Sequence, residues 1–320
     1  MVGFTLTAAC VLPLLVSETA SATGTLTQIV YPDDTHAPVY ALINSATKSL
    51  DMTMYELNDT TAEQDLANAA ARGVAVRVIL DGRQSTKNGP AYTFLNSHGV
   101  PTVWSSSTYY YTHEKSIVVD GASVYIASGN LDATYYSSDR DYAVTDTDPG
   151  DVAAVEQVFN ADYTGTAITP SDGTDLVWSP TDSQTHLLDL VNSATRTLDI
   201  EELEVSSTTM IAAVENAAKR GVRVDYITEY NRSWTSTYKQ LKNAGVHLSY
   251  YGSNAALYIH AKAIVADYGT SAAKAFEGSE NFSDTSLNQN RELGVIVSDS
   301  GVLNRVESTI AADFSGATPF

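Results

Sequence analysis

The chain is short of cysteine, of positive charge and of long apolar runs, and each shortage removes a class of function. Its one cysteine, Cys10, lies inside the apolar stretch from Val2 to Val16. That stretch leads into Ala20-Ser21-Ala22, the small-x-small pattern of a secretory cleavage site, so residues 1–22 are expected to be a signal peptide and the protein to be secreted. The mature chain then holds no cysteine. Disulfides and cysteine-ligated metals are excluded. The stretch lacks the usual preceding lysine or arginine, but at roughly 15 apolar residues it falls short of the ~20 that span a bilayer.

Lysine and arginine number 18 against 38 aspartates and glutamates, a net charge of −20. Loss of residues 1–22 removes one charge, Glu18, and leaves −19. Such a field repels polyanions and opposes anionic bilayers, so nucleic acid is a disfavoured partner and contact with a membrane surface is expected to be transient. Against that background a few lysines stand out as local positive points, suited to a phosphate-sized target. Apolar content of 43% with 18% charged residues is that of an ordinary globular chain.

What is present is a duplicated motif. His113-Glu114-Lys115-Ser116-Ile117-Val118-Val119-Asp120 recurs as His260-Ala261-Lys262-Ala263-Ile264-Val265-Ala266-Asp267, two copies of H-x-K-x-x-x-x-D. Each is followed by a Ser-x-Asn triplet, Ser128-Gly129-Asn130 or Ser279-Glu280-Asn281, and then by a carboxylate, Asp141 or Glu292. Three fixed residues match by chance at about one position in eight thousand, so one copy is modest evidence. Two copies at equivalent places in a repeat are not an accident.

The repeat runs through nearly the whole chain at a shift near 148. Tyr31-Pro32 aligns with Ser179-Pro180, residues 42–51 with 190–199, 71–77 with 219–225, Gly99-Val100 with Gly245-Val246, and Asp162-Tyr163 with Asp313-Phe314. A period this long means two duplicated domains, expected at 23–165 and 166–320. Within each, apolar residues at helical spacing (Val39, Leu42, Ile43, Ala46) give way to a β-rich run, Leu50 to Tyr55. Thr61-Ala62-Glu63-Gln64 reads as a helix start with Thr61 as the capping hydroxyl, and Arg72-Gly73 as its end. Val74 to Leu80 follows as a buried strand. This alternation predicts an α/β fold in which a sheet is covered by helices on both faces.

Ser116 to Val119 is a strand, and Asp120-Gly121 a tight turn into Val124-Tyr125-Ile126. His113 and Lys115, two apart, share a face while Glu114 points away, and His260 and Lys262 pair likewise. Asp120 and Asp267 fall at the far ends of their strands, placed to orient neighbouring loops rather than to touch substrate.

Displacing an alcohol from a phosphodiester needs a nucleophile, a proton for the leaving oxygen, and donors for charge developing on phosphoryl oxygens. Two imidazoles supply the first two, which implies two-step chemistry. Lys115, Lys262, Asn130 and Asn281 can hold the non-bridging oxygens, Ser128 and Ser279 can add hydroxyls, and neither metal nor cofactor is required. A neutral histidine aimed at phosphorus needs its other nitrogen bonded to a carboxylate, for which Asp141 and Glu292 are the candidates. His36, His98, His186 and His247 lack repeated neighbours and read as surface or core residues without metal-ligand spacing. The aromatics ahead of the motifs, Trp104, Tyr109-Tyr110-Tyr111, Tyr250-Tyr251 and Tyr258, are candidates for the mouth of a cleft, where rings attract a quaternary ammonium.

Both copies resemble the phospholipase D superfamily, whose signature is this motif with a downstream G-S-x-N. Gly278-Ser279-Glu280-Asn281 matches it in full, whereas Ala127 replaces the first glycine in the other copy. The resemblance covers residues from about 28 to 315. It implies two repeated α/β/α sandwich domains related by a pseudo-twofold axis, with both motifs at one cleft, the acids orienting histidines within a half or across the interface, and His113 as nucleophile with His260 as acid and base. It also implies a phosphoric diester hydrolase working through a phosphohistidine.

The leading expectation is a secreted, monomeric phospholipase D-like enzyme that hydrolyses or transphosphatidylates a phospholipid. A compact nuclease of the same superfamily is the alternative, favoured by the minimal scaffold and disfavoured by charge. A cardiolipin-synthase-like transferase is weaker for want of an anchoring helix. A noncatalytic binding module is opposed by the intact histidines and lysines in both copies.

Overall fold

The computed structural model describes residues 24–320, so the expected signal peptide and Cys10 lie outside the described residues. Two large mixed sheets repeat one strand order. In the first half it runs Leu26–Tyr31, Asp139–Asp146, Ser123–Ala127, Lys115–Val119, Ser49–Met54, Ala75–Leu80, Thr102–Trp104. In the second it runs Leu176–Ser179, Glu292–Val297, Lys274–Gly278, Lys262–Ala266, Thr197–Glu202, Arg223–Glu229, His247–Tyr251, with Thr318–Pro319 added at the edge. Ser49–Met54 pairs in parallel with Ala75–Leu80 through a helical crossover, but antiparallel with Lys115–Val119. Thr197–Glu202 does the same with Arg223–Glu229 and Lys262–Ala266.

Strand alternation sorts the core into three bodies. In Lys115–Val119, Ile117 and Val119 join the outer core of the first half, while Val118 faces inward. The inward residues of both sheets, Val118, Val124 and Val144 with Val265, Ala275 and Val295, share one central cluster with Val155 and Val306. Those last two come from the helices Pro149–Thr164 and Ser300–Gly316, which pack on the inner faces. The outer faces carry Ala37–Ser45, Thr60–Ala71 and Ser85–Ser97 in one half and Ser183–Ser193, Thr208–Lys219 and Thr235–Asn243 in the other. Helices therefore flank each sheet, and the central cluster welds the halves together.

Two local readings change or sharpen. The helix Thr60–Ala71 is capped by Asp59, whose carboxylate accepts the amides of Thr61 and Ala62, so Thr61 is not the cap. An ionised carboxylate outcompetes a hydroxyl for those free amides. Asp120 and Gly121 both have positive φ, 56° and 61°, the geometry of a type I′ hairpin turn. Asp120 then accepts the amides of Thr47, Lys48 and Ser49 at 2.7–3.1 Å, and Asp267 accepts those of Thr195, Arg196 and Thr197 at 2.6–3.2 Å. These final motif aspartates bond the loop entering the adjacent strand.

Candidate active site

Each histidine is held by the carboxylate of the opposite half. His113 Nδ1 lies 2.6 Å from Glu292 Oε2, and His260 Nδ1 lies 2.8 Å from Asp141 Oδ1. The backbone makes the same exchange. His113 and Glu114 donate their amides to the carbonyl of Arg291, next to Glu292. Tyr258–Ile259, just before His260, pairs in parallel with Asp139 and Arg140, just before Asp141. Each catalytic-type dyad is thus a contact between repeats that neither half can form alone.

Burial sets the protonation states. It pushes the His113 imidazole down to about 4, against the pull of Glu292, and lowers His260 against the pull of Asp141. Burial also pushes the two carboxyls up, but the opposing histidines and the nearby lysines outweigh it and hold both below their usual range. A neutral imidazole donating Nδ1–H to an ionised carboxylate leaves Nε2 with a free lone pair. Lys262 contributes to lowering His113, and Lys115 to lowering His260, which puts the two motifs within each other's field.

Both lysines are fully buried, each with its ammonium on the carbonyl of its own histidine, for Lys115 at 2.5 Å. Burial lowers Lys115 to about 7, with Glu292 opposing. Asn130 and Asn281 carry side-chain oxygens that are buried without partners. Ser128 is a correction. Its hydroxyl donates to Asp141 Oδ1 at 2.6 Å and accepts the Tyr142 amide, so its single proton is committed to orienting Asp141 rather than to a phosphate. Ser279 accepts the Leu293 amide at 3.1 Å. Gly129 has a steric reason for having no side chain, since a Cβ there would sit 2.7 Å from Asp141 Oδ2.

Further residues of the site escaped the sequence reading. Arg140 Nε bonds Asp313 at 2.5 Å and Arg291 Nε bonds Asp162 at 2.8 Å, two buried ion pairs that again cross between halves. Asp81 Oδ2 accepts the amide of Thr112 at 2.6 Å, and its repeat partner Glu229 accepts that of Ile259 at 3.4 Å, each steadying the residue before a histidine. Tyr55 sets its ring edge-on to His113 at 4.5 Å and receives the Lys115 ammonium at 5.2 Å. All but Tyr55 recur in both halves, which was the available signal.

The two dyads have unequal surroundings. On the His113 side, Ser286 and Asn290 donate to Glu292 Oε1 at 2.7 and 2.8 Å and fill the space behind it. Their repeat counterparts are Tyr135 and Asp139, and there the structure opens into a pocket beside His260. His36, read from sequence as an ordinary surface or core residue, is a wall of that pocket, stacked between Tyr31 and Tyr136 at 4.1 and 3.3 Å. Of the aromatics expected at a cleft mouth, Tyr111 and Tyr258 lie near the dyads, whereas Trp104 stacks on Tyr92 and Tyr251 bonds the Asp313 carbonyl.

Among the described residues two groupings bring ligand-type atoms within 4.8 Å of one another, Asp139 with Asp141 and His260, and Asp172 with Asp182 and His186. The first engages a dyad already paired internally. The second is partly exposed and explained by the His186–Asp172 contact at 3.3 Å, a cluster that sequence spacing around His186 had not suggested. No helix among the described residues is long and apolar enough to cross a membrane.

Comparison with known proteins places this geometry. A family model described as "Cardiolipin synthase, PLD-like domain" matches residues 39–163 and 187–314, one match per half. Among solved structures, polyphosphate kinase from Porphyromonas gingivalis superposes with a TM-score of 0.72 at 15% identity over 90% of this chain. The chain spans about half, 50%, of that kinase. Phosphatidylserine synthase from Haemophilus influenzae gives 0.69 at 13% identity, covering 88% of this chain and 84% of the synthase. A phospholipase D family member, Nuc from Salmonella typhimurium, is 22% identical over 46% of this chain and 99% of its own, with a TM-score of 0.43. These likenesses concern the fold. No curated protein sequence matches the chain.

Proposed function

Because the chain belongs to the phospholipase D-like family, whose members cleave or transfer phosphodiesters, we propose that it is an exported phospholipid hydrolase in which His113 and His260 act in turn on one phosphorus. The observation that carries this reading is the exchange of carboxylates, His113 with Glu292 and His260 with Asp141.

In the first step Nε2 of neutral His113 forms a bond to phosphorus as the bond to the leaving alcohol breaks. The departing oxygen takes a proton from Nε2 of His260, which enters this step as the imidazolium, charged from solvent and paired with ionised Asp141. In the second, water gives its proton to His260 and its oxygen bonds phosphorus, while the phosphorus–nitrogen bond breaks and returns His113. Glu292 steadies the cationic ring of the intermediate. Lys115 and Lys262 neutralise the non-bridging oxygens, aided by Asn130 and Asn281, in a dry site where such contacts are strongest. The open side at His260 suits the group through which the alcohol leaves and the water enters.

The acidic surface supports a small headgroup diester over a polyanion. The test is to incubate the mature protein with phospholipid vesicles and with plasmid DNA in excess chelator. Release of headgroup alcohol without nicking is the expected result. Nicking without release would transfer the same chemistry to nucleic acid and overturn the lipid reading.

A further inference from the structure

Resting on that reading, we propose that the pocket beside His260 is the subsite for the leaving alcohol and that it is built for a primary ammonium, as in an ethanolamine-type diester. The pocket opens where the repeat is broken. Tyr31, His36, Asn130, Tyr136 and Asp139 line it together with the Asp141–His260 dyad. At the matching place in the second half, Ser179, Ser286 and Asn290 close inward, with the Ser179 hydroxyl on the Ser286 carbonyl and the other two on Glu292. A departing alcohol therefore has room at one histidine and not at the other.

The chemistry of the walls selects what that alcohol carries. The nearby acid Asp132 is neutralised by Lys87 at 2.7 Å, and Asp141 by its histidine. Asp139 is in no ion pair among the described residues, accepts one bond from Ser138 at 2.9 Å, and brings a carboxylate oxygen within 4.8 Å of both dyad members. The Asn130 oxygen is buried without a partner. A cation with several N–H donors satisfies both acceptors. A trimethylammonium offers none. The cavity is small, about 20 Å³, room for an ammonium nitrogen and its hydrogens against those acceptors. The Tyr31, His36 and Tyr136 rings stack into one wall of the pocket. The imidazole of His36, pushed down to about 4 by its burial, adds no competing charge at neutral pH.

Initial rates on glycerophosphoethanolamine, glycerophosphocholine and glycerophosphoglycerol, with matching phospholipid vesicles and chelator throughout, test the subsite apart from the lipid. The expected result is at least a tenfold higher kcat/KM for the ethanolamine diester in both series, with Asp139→Asn collapsing that ratio. Equal rates, or a preference for choline or glycerol, overturn the subsite. Cleavage of the soluble diesters with the same preference but of no vesicle sinks the phospholipid reading and supports the subsite. No cleavage of any substrate overturns both.

Discussion

Lys115 and Lys262 occupy the same place in the motif, yet their settings differ by one cross-strand neighbour. Lys115 stands opposite Met54, and Lys262 opposite Glu202. With burial dominating over Glu292, the first of the carboxylates that oppose it, the Lys115 ammonium titrates near 7. An uncharged amine cannot neutralise a phosphoryl oxygen, so the free enzyme loses competence as pH rises through that value. The expected profile of kcat/KM is a fall approaching tenfold per pH unit above about 7. Lys115→Arg, whose guanidinium stays charged, is expected to lower the rate but to remove this alkaline limb. A limb that survives in the arginine variant would assign it to another group.

At the scale of elements, the strands Asp139–Asp146 and Glu292–Val297, which carry Asp141 and Glu292 at their starts, are anchored by ion pairs that reach into the opposite half, Arg140 to Asp313 and Arg291 to Asp162. Removing one partner leaves a buried charge uncompensated, which costs about 3–5 kcal/mol. Arg291→Met is therefore expected to destabilise the fold by that order and to lower kcat more than it changes KM, because Glu292 loses its anchor. Adding Asp162→Asn should restore part of the stability, and urea unfolding of the double-mutant cycle reads the coupling. Strict additivity would show that the pair does not tie the halves.

These pairs mark where sequence reading stopped. The helices, strands and motif positions were legible because each is local: Asp120-Gly121 in a hairpin turn, or Val74 to Leu80 as an apolar run. The exchange of Glu292 for Asp141 spans 179 residues on one side and 119 on the other, and nothing periodic records it. Arg140 and Arg291 each precede a repeated carboxylate, so the repeat held a trace of them, but not their partners. The role of Ser128 was misjudged because a hydroxyl after a strand looks the same whether it faces substrate or the next acid. His36 was passed over because the pocket it lines exists only where the repeat diverges.

For the molecule as a whole, duplication built one site from two copies of an incomplete one. The central core, shared by Val118 and Val265 and by the helices of both halves, holds the dyads together, and divergence around them made one enclosed and the other open. The account's central claim is that this asymmetry divides labour on a single phosphorus. Its most direct measurement is a rapid quench of the His260→Asn variant with a p-nitrophenyl phosphodiester, whose activated leaving group departs without an acid, followed by mass mapping of the modified peptide. The prediction is one phosphoryl adduct per chain, on His113, accumulating because no base remains to activate water. No adduct on His113, under conditions where the unmodified enzyme turns over the same diester, would contradict it.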